Sequence, residues 1–301
     1  MKPFYFVFIL SFLSILCSAS LLPEKAEVTM TQGDGRIGTY VSSWKGFRTS
    51  SYWIEGPDGL ILIDTQFLPS ASEEMLNWAE KVTAKKAKLA IILHPNPDKF
   101  NGTELFQKRG IRVVTSSQVL SLIPAVHKLR TSWFFESFKP DYPTEVPKPE
   151  SFGDKTTELK AAGLTVKAHV LGKGCSDAHV VVQFEDNVFV GDLATIGFHS
   201  WLELGQPEEW LKRIEEINAM EPTYVRTGRG GSGDADVLTR ESEYLNTVIR
   251  TFKSFHPKKG KALKKSDSEK IVKTILQKYP SYDYPNFIEN GVAEVWKSLS
   301  K

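Results

Sequence analysis

The segment of residues 93–102, which reads LHPNPDKFNG, constrains the fold of this chain more than any other stretch. It follows the apolar run of residues 89–93, which predicts a buried strand, and it precedes the segment TELFQKRG, which predicts the start of a helix. Polar groups packed into such a turn need partners, because burying them without hydrogen bonds costs free energy. A polar turn between a strand and a helix therefore predicts a functional site at one edge of an α/β sheet.

The spacing within this turn resembles the His-x-His-x-Asp-His signature of the metallo-β-lactamase-fold hydrolases, which opens their dinuclear metal site. Its four positions are occupied by His94, Asn96, Asp98 and Lys99. Two positions therefore keep metal-ligand chemistry, one has become an amide and one has become a fixed cation. The resemblance runs from about residue 38 to residue 249 and implies a four-layer αββα sandwich.

Two further segments match the family's ligand motifs but lack their histidines. The Gly-x-Gly-His-Ser/Thr segment corresponds to residues 172–176, where Cys175 stands in place of the histidine. The last Gly-His-Gly turn corresponds to residues 228–230, where Arg229 stands in place of the histidine. The resemblance thus implies a metal site in which one imidazole has become a thiol and another a guanidinium.

The carboxylates of the family site are better preserved. The Gly-Asp-Leu segment with the bridging carboxylate is intact as residues 191–193, so the resemblance makes Asp192 a ligand. Asp64 ends the segment GPDGLILID and matches the family's carboxylate that braces the metal loop without binding metal. We expect Asp64, Asn96 and His199 to lie around the ligands rather than among them.

The two new cations change the electrostatics of the second metal position. The resemblance places Lys99 and Arg229 beside Asp98 and Asp192, so two positive and two negative charges sum to zero. A divalent ion would meet repulsion on the order of several kcal/mol per cation at an effective dielectric of about 20. We therefore expect protein side chains to fill this position, and we expect no dinuclear zinc site.

A single zinc remains possible on chemical grounds. His94, Cys175 and Asp192 are all zinc-ligand types, and Asn96 or a water molecule would complete a tetrahedron. The expected cofactor is therefore none or one zinc ion. The other histidines follow no ligand spacing with each other, and we assign them no metal: His127, His169, His179, His199 and His256.

Three functional hypotheses follow. The leading one is an exported homologue that has lost the dinuclear site and acts as a pseudoenzyme or binding module. The second is a mononuclear zinc hydrolase of ester, thioester or lactam bonds that uses His94, Cys175 and Asp192. Its catalytic residues would be Asp98, Lys99 and Arg229, with Lys99 or Arg229 holding an anionic substrate group or stabilising an oxyanion. The third is thiol chemistry at Cys175, whose pKa would fall beside two cations.

Composition restricts the partners. The formal charge of +2 over 301 residues gives no electrostatic basis for binding nucleic acid. A small-molecule ligand, with anionic groups that suit the two cations, is the expected partner.

The N-terminus predicts export. Residues 1–20 combine a lysine, an apolar run and small residues near the end, which is the layout of a secretory signal and too short for a stable membrane span. We therefore expect no transmembrane segment after signal removal, and a periplasmic or secreted protein. Lipid attachment at Cys17 is less favoured, because the bulky Leu16 precedes it.

The rest of the chain, residues 21–301, is predicted to form one α/β domain with a C-terminal helical extension. We expect an irregular lead-in over residues 21–38, a helix over residues 116–138 that Pro124 interrupts, and a last helix over residues 287–299. The helix over residues 71–82 has apolar positions at helical spacing, which predicts that four side chains lie in the core: Met75, Trp78, Ala79 and Val82.

Overall fold

The structure is a computed structural model that describes residues 25–30 and 34–300. The predicted signal sequence and Cys17 lie outside the described residues. No helix within these ranges has both the length and the apolar character needed to cross a membrane.

Two β-sheets form the centre of the molecule. In the first sheet the strands follow chain order; in the second the order is β13, β12, β11, β10, β9, β8. The strands of the first sheet are β1 Glu27–Met30, β2 Ile37–Val41, β3 Ser50–Gly56, β4 Gly59–Ile63, β5 Ala87–Ile91, β6 Arg112–Thr115 and β7 Glu150–Ser151. Those of the second are β8 Thr157–Ala161, β9 Leu164–Leu171, β10 His179–Phe184, β11 Asn187–Thr195, β12 Tyr224–Arg229 and β13 Ser232–Asp234.

Helices cover the outer faces of both sheets. The helices are α1 Pro69–Thr83, α2 Pro97–Phe100, α3 Thr103–Lys108, α4 Ser117–Phe138, α5 Pro207–Asn218, α6 Asp236–Lys253, α7 Lys265–Lys278, α8 Asn286–Glu289 and α9 Val292–Leu299. Parallel pairing occurs from β4 to β7 and between β11 and β12, and the connections between these strands carry helices. This arrangement confirms the predicted αββα sandwich.

Two apolar cores hold the layers together. One joins the first sheet to α1 and to the inner face of the second sheet, where Tyr52 and Phe189 meet edge to face with ring centroids 5.3 Å apart. The other joins the second sheet to α5, α6 and the last helices. There the indole Nε1 of Trp210 donates to the carbonyl of Leu193 at 2.8 Å, so the buried indole keeps its hydrogen bond.

Several local predictions were wrong. Residues 27–30 of the expected irregular lead-in form an edge strand that pairs with β2. Pro124 lies inside a continuous α4, because a proline removes one hydrogen bond without ending a helix that tertiary packing supports. The last helix is divided at residues 290–291 into α8 and α9.

Only part of the apolar face of α1 is buried against the rest of the protein. Met75 and Ala79 are fully buried as predicted, whereas Trp78 and Val82 remain 39% and 47% exposed, so the prediction of a core position was wrong for both. The Lys81 ammonium lies 5.0 Å from the Trp78 ring centroid, which gives the exposed indole a cation–π partner.

Candidate functional site

The polar turn follows β5, and Asp64 stabilises its start through a hydrogen bond to the backbone. The Oδ1 atom of Asp64 accepts a hydrogen bond from the backbone N–H of Leu93 at 2.9 Å, and Asp64 has a left-handed backbone with φ of 62°. Within the turn, the carbonyl of Asn96 accepts from the N–H of Lys99 at 2.9 Å, and the backbone N–H of Asn96 donates to the carbonyl of His94 at 2.9 Å. These bonds fix the turn and start α2, which carries Asp98 and Lys99.

Lys99 lies among three carboxylates. Its Nζ is 2.9 Å from Oδ1 of Asp192, 3.1 Å from Oδ2 of Asp98 and 3.9 Å from Oδ2 of Asp64. The lysine side chain is 0% exposed. A buried ammonium requires compensating charge, and Asp98 from the first half of the chain and Asp192 from the second provide it.

Arg229 contacts the same two carboxylates from the opposite sheet. Its Nη2 donates to Oδ2 of Asp98 at 2.7 Å and to Oδ2 of Asp192 at 3.2 Å. Its Nη1 donates to the carbonyl of Phe47 at 2.6 Å and to Oγ1 of Thr49 at 3.0 Å. The guanidinium therefore has four acceptors, and it connects the end of β12 to the turn after β5 and to the loop before β3.

The pKa values of these groups follow from burial and from their mutual attraction. Burial opposes ionisation of Asp98 and Asp192, but Lys99 and Arg229 outweigh it and hold both carboxyl pKa values below their usual range. Burial also disfavours the charged Lys99, yet Asp192 and Asp98 raise its pKa above the ordinary value. The two cations and the two carboxylates are thus all charged at pH 7, and their charges sum to zero.

Asp64 behaves differently from the two paired carboxylates. Burial raises its pKa to about 8, which outweighs the attraction of Lys99. Asp64 is therefore protonated and uncharged at pH 7, and the charge balance of the four-residue ion-pair cluster (Asp98, Lys99, Asp192 and Arg229) is unchanged by it.

A second group of polar side chains lies next to the ion-pair cluster. One ligand-type atom from each of His94, Cys175 and His179 lies within 4.8 Å of the others, and all three residues are buried. Sγ of Cys175 is 3.8 Å from Nε2 of His179, and the two imidazole centroids are 5.2 Å apart. We call these three residues the His-Cys-His group.

Asp192, the third member of the expected zinc set, lies outside this group. Asp192 approaches this group only with Oδ2, 3.7 Å from Nε2 of His94, and its two oxygens already contact Lys99 and Arg229. His179, to which the sequence gave no metal role, takes the third position. The signal was present in the four-residue spacing from Cys175, but His179 also begins β10, where alternation alone predicts an ordinary strand residue.

Hydrogen bonding satisfies only half of the imidazole nitrogens in this group. Nδ1 of His94 is 3.1 Å from Oγ of Ser176, and Nε2 of His179 accepts from the N–H of Ser176 at 3.1 Å. Nε2 of His94 and Nδ1 of His179 are buried without a hydrogen-bond partner. An unsatisfied buried polar atom costs about 1–3 kcal/mol, so a ligand that used these atoms would stabilise the fold. His94, Cys175 and His179 are thus residue types that suit one soft metal ion, whereas the carboxylates of Asp98 and Asp192 are paired with Lys99 and Arg229.

The thiol does not have the predicted reactivity. Burial raises the pKa of Cys175 well above its ordinary value, and Asp192 raises it further, against the smaller opposing effect of Lys99. The expectation that two cations would lower this pKa was wrong, because burial of the thiol and the charge of Asp192 together outweigh the effect of Lys99. Burial likewise lowers the pKa of His179 well below its ordinary value, so its imidazole is neutral.

His199 has a different environment from the one expected. Its Nδ1 is 2.9 Å from the hydroxyl of Tyr244, its ring lies 5.6 Å from that of Tyr282, and burial lowers its pKa to about 4. These contacts are with α6 and the segment after α7. Asn96 is 9% exposed and lies in the same turn as His94, to whose carbonyl its backbone N–H donates.

Aromatic rings lie beside the ion-pair cluster, where the guanidinium of Arg229 is 5.4 Å from the centroid of the Phe287 ring and its Nη1 contacts the backbone of Phe47. The Phe47 ring packs against Phe67 at 4.9 Å and against Phe134 of α4 at 5.6 Å, measured between centroids. Its carbonyl accepts the hydrogen bond from Arg229. With Lys99 at 0% and Asp98 and Arg229 each at 5% exposure, a substrate would have to displace side chains before it reached any of them.

The fold is a sandwich of two sheets between helices, with carboxylates and imidazoles at the ends of its strands. Residues 44–229, more than half of the chain, match the family described as the metallo-beta-lactamase superfamily. The chain therefore belongs to this superfamily, as the sequence motifs predicted.

Individual relatives agree with this assignment. The chain is 24% identical over 201 residues to the metallo-beta-lactamase type 2 of Bacillus cereus. The aligned region covers 62% of this chain and 69% of that protein. The chain shares the fold of a metallo-beta-lactamase from Pontibacter korlensis, with 19% identity, a TM-score of 0.57 and coverage of 74% of this chain and 99% of that one. The metallo-beta-lactamase FIM-1 from Pseudomonas aeruginosa, in a mono-zinc form, matches with 16% identity, a TM-score of 0.58 and coverage of 74% and 97%.

Proposed function

We propose that this chain is an exported metallo-β-lactamase-fold protein without a dinuclear zinc site, and that it acts as a binding or regulatory module rather than as a hydrolase. The observation that carries the proposal is the position of Lys99, which lies 2.9 Å from Asp192 and 3.1 Å from Asp98. A dinuclear hydrolase uses such carboxylates as metal ligands, and here both carboxylates form ion pairs with Lys99 and Arg229.

Electrostatics support the proposal. A divalent ion about 4 Å from a fixed unit cation is repelled by about 8 kcal/mol at an effective dielectric of about 20. Two such cations offset the attraction of Asp98 and Asp192, so this position has no net affinity for a second metal ion. Burial adds a second argument, because none of the four paired side chains is open to a substrate.

The mononuclear hydrolase is the second candidate, and the His-Cys-His group is the observation that favours it. His94, Cys175 and His179 would hold the ion, and a bound zinc supplies a polarised carbonyl or a water molecule of lowered pKa. Around it, Arg229 would hold an anionic group of the substrate only after leaving Asp98 and Asp192. Breaking those buried pairs is the cost that makes this candidate the weaker one.

Metal content and turnover separate the two candidates. The purified chain is analysed for zinc and assayed with a chromogenic β-lactam, a thioester and a lactone, with and without added zinc. We expect at most one metal ion per chain and no turnover that a chelator abolishes. Two zinc ions per chain, or chelator-sensitive hydrolysis that is lost in Asp98→Asn, would refute the proposal.

A variant in which histidine replaces both cationic residues provides the matched comparison. In the double variant Lys99→His and Arg229→His, two imidazoles again face Asp98 and Asp192, so we expect it to bind one more zinc ion than the parent chain. Export is tested separately, by locating the protein in fractionated cells that express the full chain.

A further inference from the structure

The His-Cys-His group has no role in the proposed binding function, yet it combines buried donors and unsatisfied ring nitrogens. We propose that His94, Cys175 and His179 bind a single Cu(I) ion in preference to Zn(II), in a closed site. The proposal rests on one part of the proposed function, the neutral ion-pair cluster beside this group, and it does not depend on the absence of hydrolysis.

The donor set is the first argument. Two imidazoles and one thiolate form a soft set without a carboxylate, and soft thiolate ligands select Cu(I) as well as zinc. Structural zinc is almost always four-coordinate, whereas the group within the described residues supplies three donors. Asp192, the nearest carboxylate, contacts Lys99 at 2.9 Å and Arg229 at 3.2 Å, so it is not available as a fourth ligand.

The geometry is the second argument. Ligand atoms that share one ion at about 2.0–2.3 Å lie roughly 3.3–4 Å apart. Sγ of Cys175 and Nε2 of His179 are already 3.8 Å apart, and the third donor lies within 4.8 Å of both. Nε2 of His94 is buried without a hydrogen-bond partner, and Nε2 of His179 accepts only from the backbone N–H of Ser176 at 3.1 Å, a bond that it would give up to bind the ion. Small side-chain movements would therefore bring three donors onto one ion.

Charge is the third argument, and it selects between the two metals. The neighbouring ion-pair cluster already sums to zero, so a neutral complex fits this buried region best. Cu(I) with the thiolate of Cys175 is neutral, whereas Zn(II) with one thiolate leaves a positive charge close to Lys99 and Arg229. An uncompensated buried charge is strongly unfavourable, and no free carboxylate of the ion-pair cluster remains to offset it.

Binding requires one proton transfer and no redox change. The protonated thiol of Cys175 releases its proton to solvent as the Cu–S bond forms, and the copper remains Cu(I) throughout. The two imidazoles bind through neutral nitrogens. Burial of all three side chains keeps water and oxidants away from the bound ion.

The test is a pair of competition titrations of the full chain, purified without metal. Cu(I) is added anaerobically against a chromogenic Cu(I) chelator, and Zn(II) is added against a chromogenic zinc indicator. We expect one Cu(I) per chain, bound more tightly than Zn(II). Failure to bind one equivalent of Cu(I), or a Zn(II) affinity equal to or above that of Cu(I), would overturn the proposal.

Variants assign the ligands. Cys175→Ser and His179→Gln are each expected to lower the Cu(I) affinity by more than about 100-fold, since even residues that only support a ligand change metal affinity by 10–100-fold. The control is His169→Gln on β9, whose imidazole bonds to Gln183 at 3.0 Å and lies outside the group. Unchanged affinity in His179→Gln, or an equal loss in His169→Gln, would contradict the assignment.

A measurement on the parent chain covers the case in which a variant fails to fold. X-ray absorption of the Cu(I) form is expected to show one sulfur and two imidazole nitrogens, and a copper bound without sulfur would refute the site. Hydrolysis is measured on the same samples. An active chain that binds Cu(I) would refute only the proposed function, and an inactive chain that binds none would refute only this inference.

Discussion

At the scale of single residues, two long side chains decide what the site can do. Lys99 and Arg229 occupy positions where the resembled family has histidine, and they contact the carboxylates that would otherwise bind metal. Each is buried, so each depends on the pairing that it forms. The site has therefore become part of the stability of the fold.

Removal of one cation tests this dependence. We expect Arg229→Ala to lower the free energy of unfolding by about 3 kcal/mol, because it leaves Asp98 and Asp192 with one cation between them. The measurement is urea-induced unfolding of both proteins. The control is Arg112→Ala, which removes an exposed pair with Glu150 and should change stability by less than about 1 kcal/mol. Equal effects of the two substitutions would count against a buried ion-pair network.

The buried thiol gives a second residue-scale prediction. Cys175 is 2% exposed and its pKa is raised, so it should resist an alkylating reagent at pH 7 while the chain is folded and react when urea unfolds it. The experiment uses Cys17→Ser, which leaves one thiol in a sequence with two cysteines. Rapid labelling of the folded protein would revive the hypothesis of thiol chemistry at this site.

At the scale of helices and strands, the sequence predicted the elements with a strong local pattern. The helix predicted over residues 116–138 is observed as Ser117–Phe138, and the helix predicted over residues 71–82 lies within Pro69–Thr83. The short strands at sheet edges, Glu27–Met30 and Glu150–Ser151, were missed, because few of their side chains enter the core and pairing alone defines them.

The candidate site divides in the same way. The family motifs predicted that Asp98, Lys99, Asp192 and Arg229 lie close together, because residues at the same motif positions occupy similar places in the fold. They did not bring His179 there, because its inward orientation depends on the tight turn after Cys175. Nor could sequence reveal that Phe287 lies beside Arg229 or that Phe47 packs against Phe134, since these contacts join elements distant in the chain.

Glu241 connects α6 to the loop after β11 and predicts a pH effect. Its carboxylate accepts from the backbone N–H of Thr195 at 3.2 Å and from Oγ of Ser200 at 2.6 Å, while burial raises its pKa to about 7. The nearby charge of Asp192 acts in the same direction. Because the folded pKa exceeds that of the unfolded chain, the unfolded state loses its proton first as pH rises. The contribution of Glu241 is therefore greatest below pH 4.5 and is lost as the pH rises to about 7.

The measurement compares unfolding free energies of the parent and Glu241→Gln between pH 5 and pH 8. The parent should lose more stability than the variant over this interval, by an amount on the order of a few kcal/mol. Parallel pH profiles would show that Glu241 does not titrate in this range.

At the scale of the whole molecule, the ion-pair cluster joins the two halves of the sandwich. Asp64, Asp98 and Lys99 follow strands of the first sheet, whereas Asp192 and Arg229 belong to the second. Tyr52 adds a neutral link, since its hydroxyl on β3 donates to the carbonyls of Thr227 and Gly231 at 2.8 and 2.7 Å. The shortest contacts of the cluster cross between the sheets, from Lys99 to Asp192 at 2.9 Å and from Arg229 to Asp98 at 2.7 Å, which predicts that both sheets unfold together as one domain.

Pulsed hydrogen exchange in increasing urea tests this cooperativity, because it follows amides of β3–β5 and β10–β12 separately. In the parent chain both sets should lose protection at the same urea concentration. In Lys99→Met, which keeps an apolar side chain of similar length but leaves Asp98 and Asp192 with Arg229 alone, both sets should shift together to lower urea. The expected loss is roughly 3–5 kcal/mol, the cost of breaking a buried pair. Loss of protection in one sheet while the other stays protected would show that each sheet folds without the charges of its partner, and that the cluster is not what unites them.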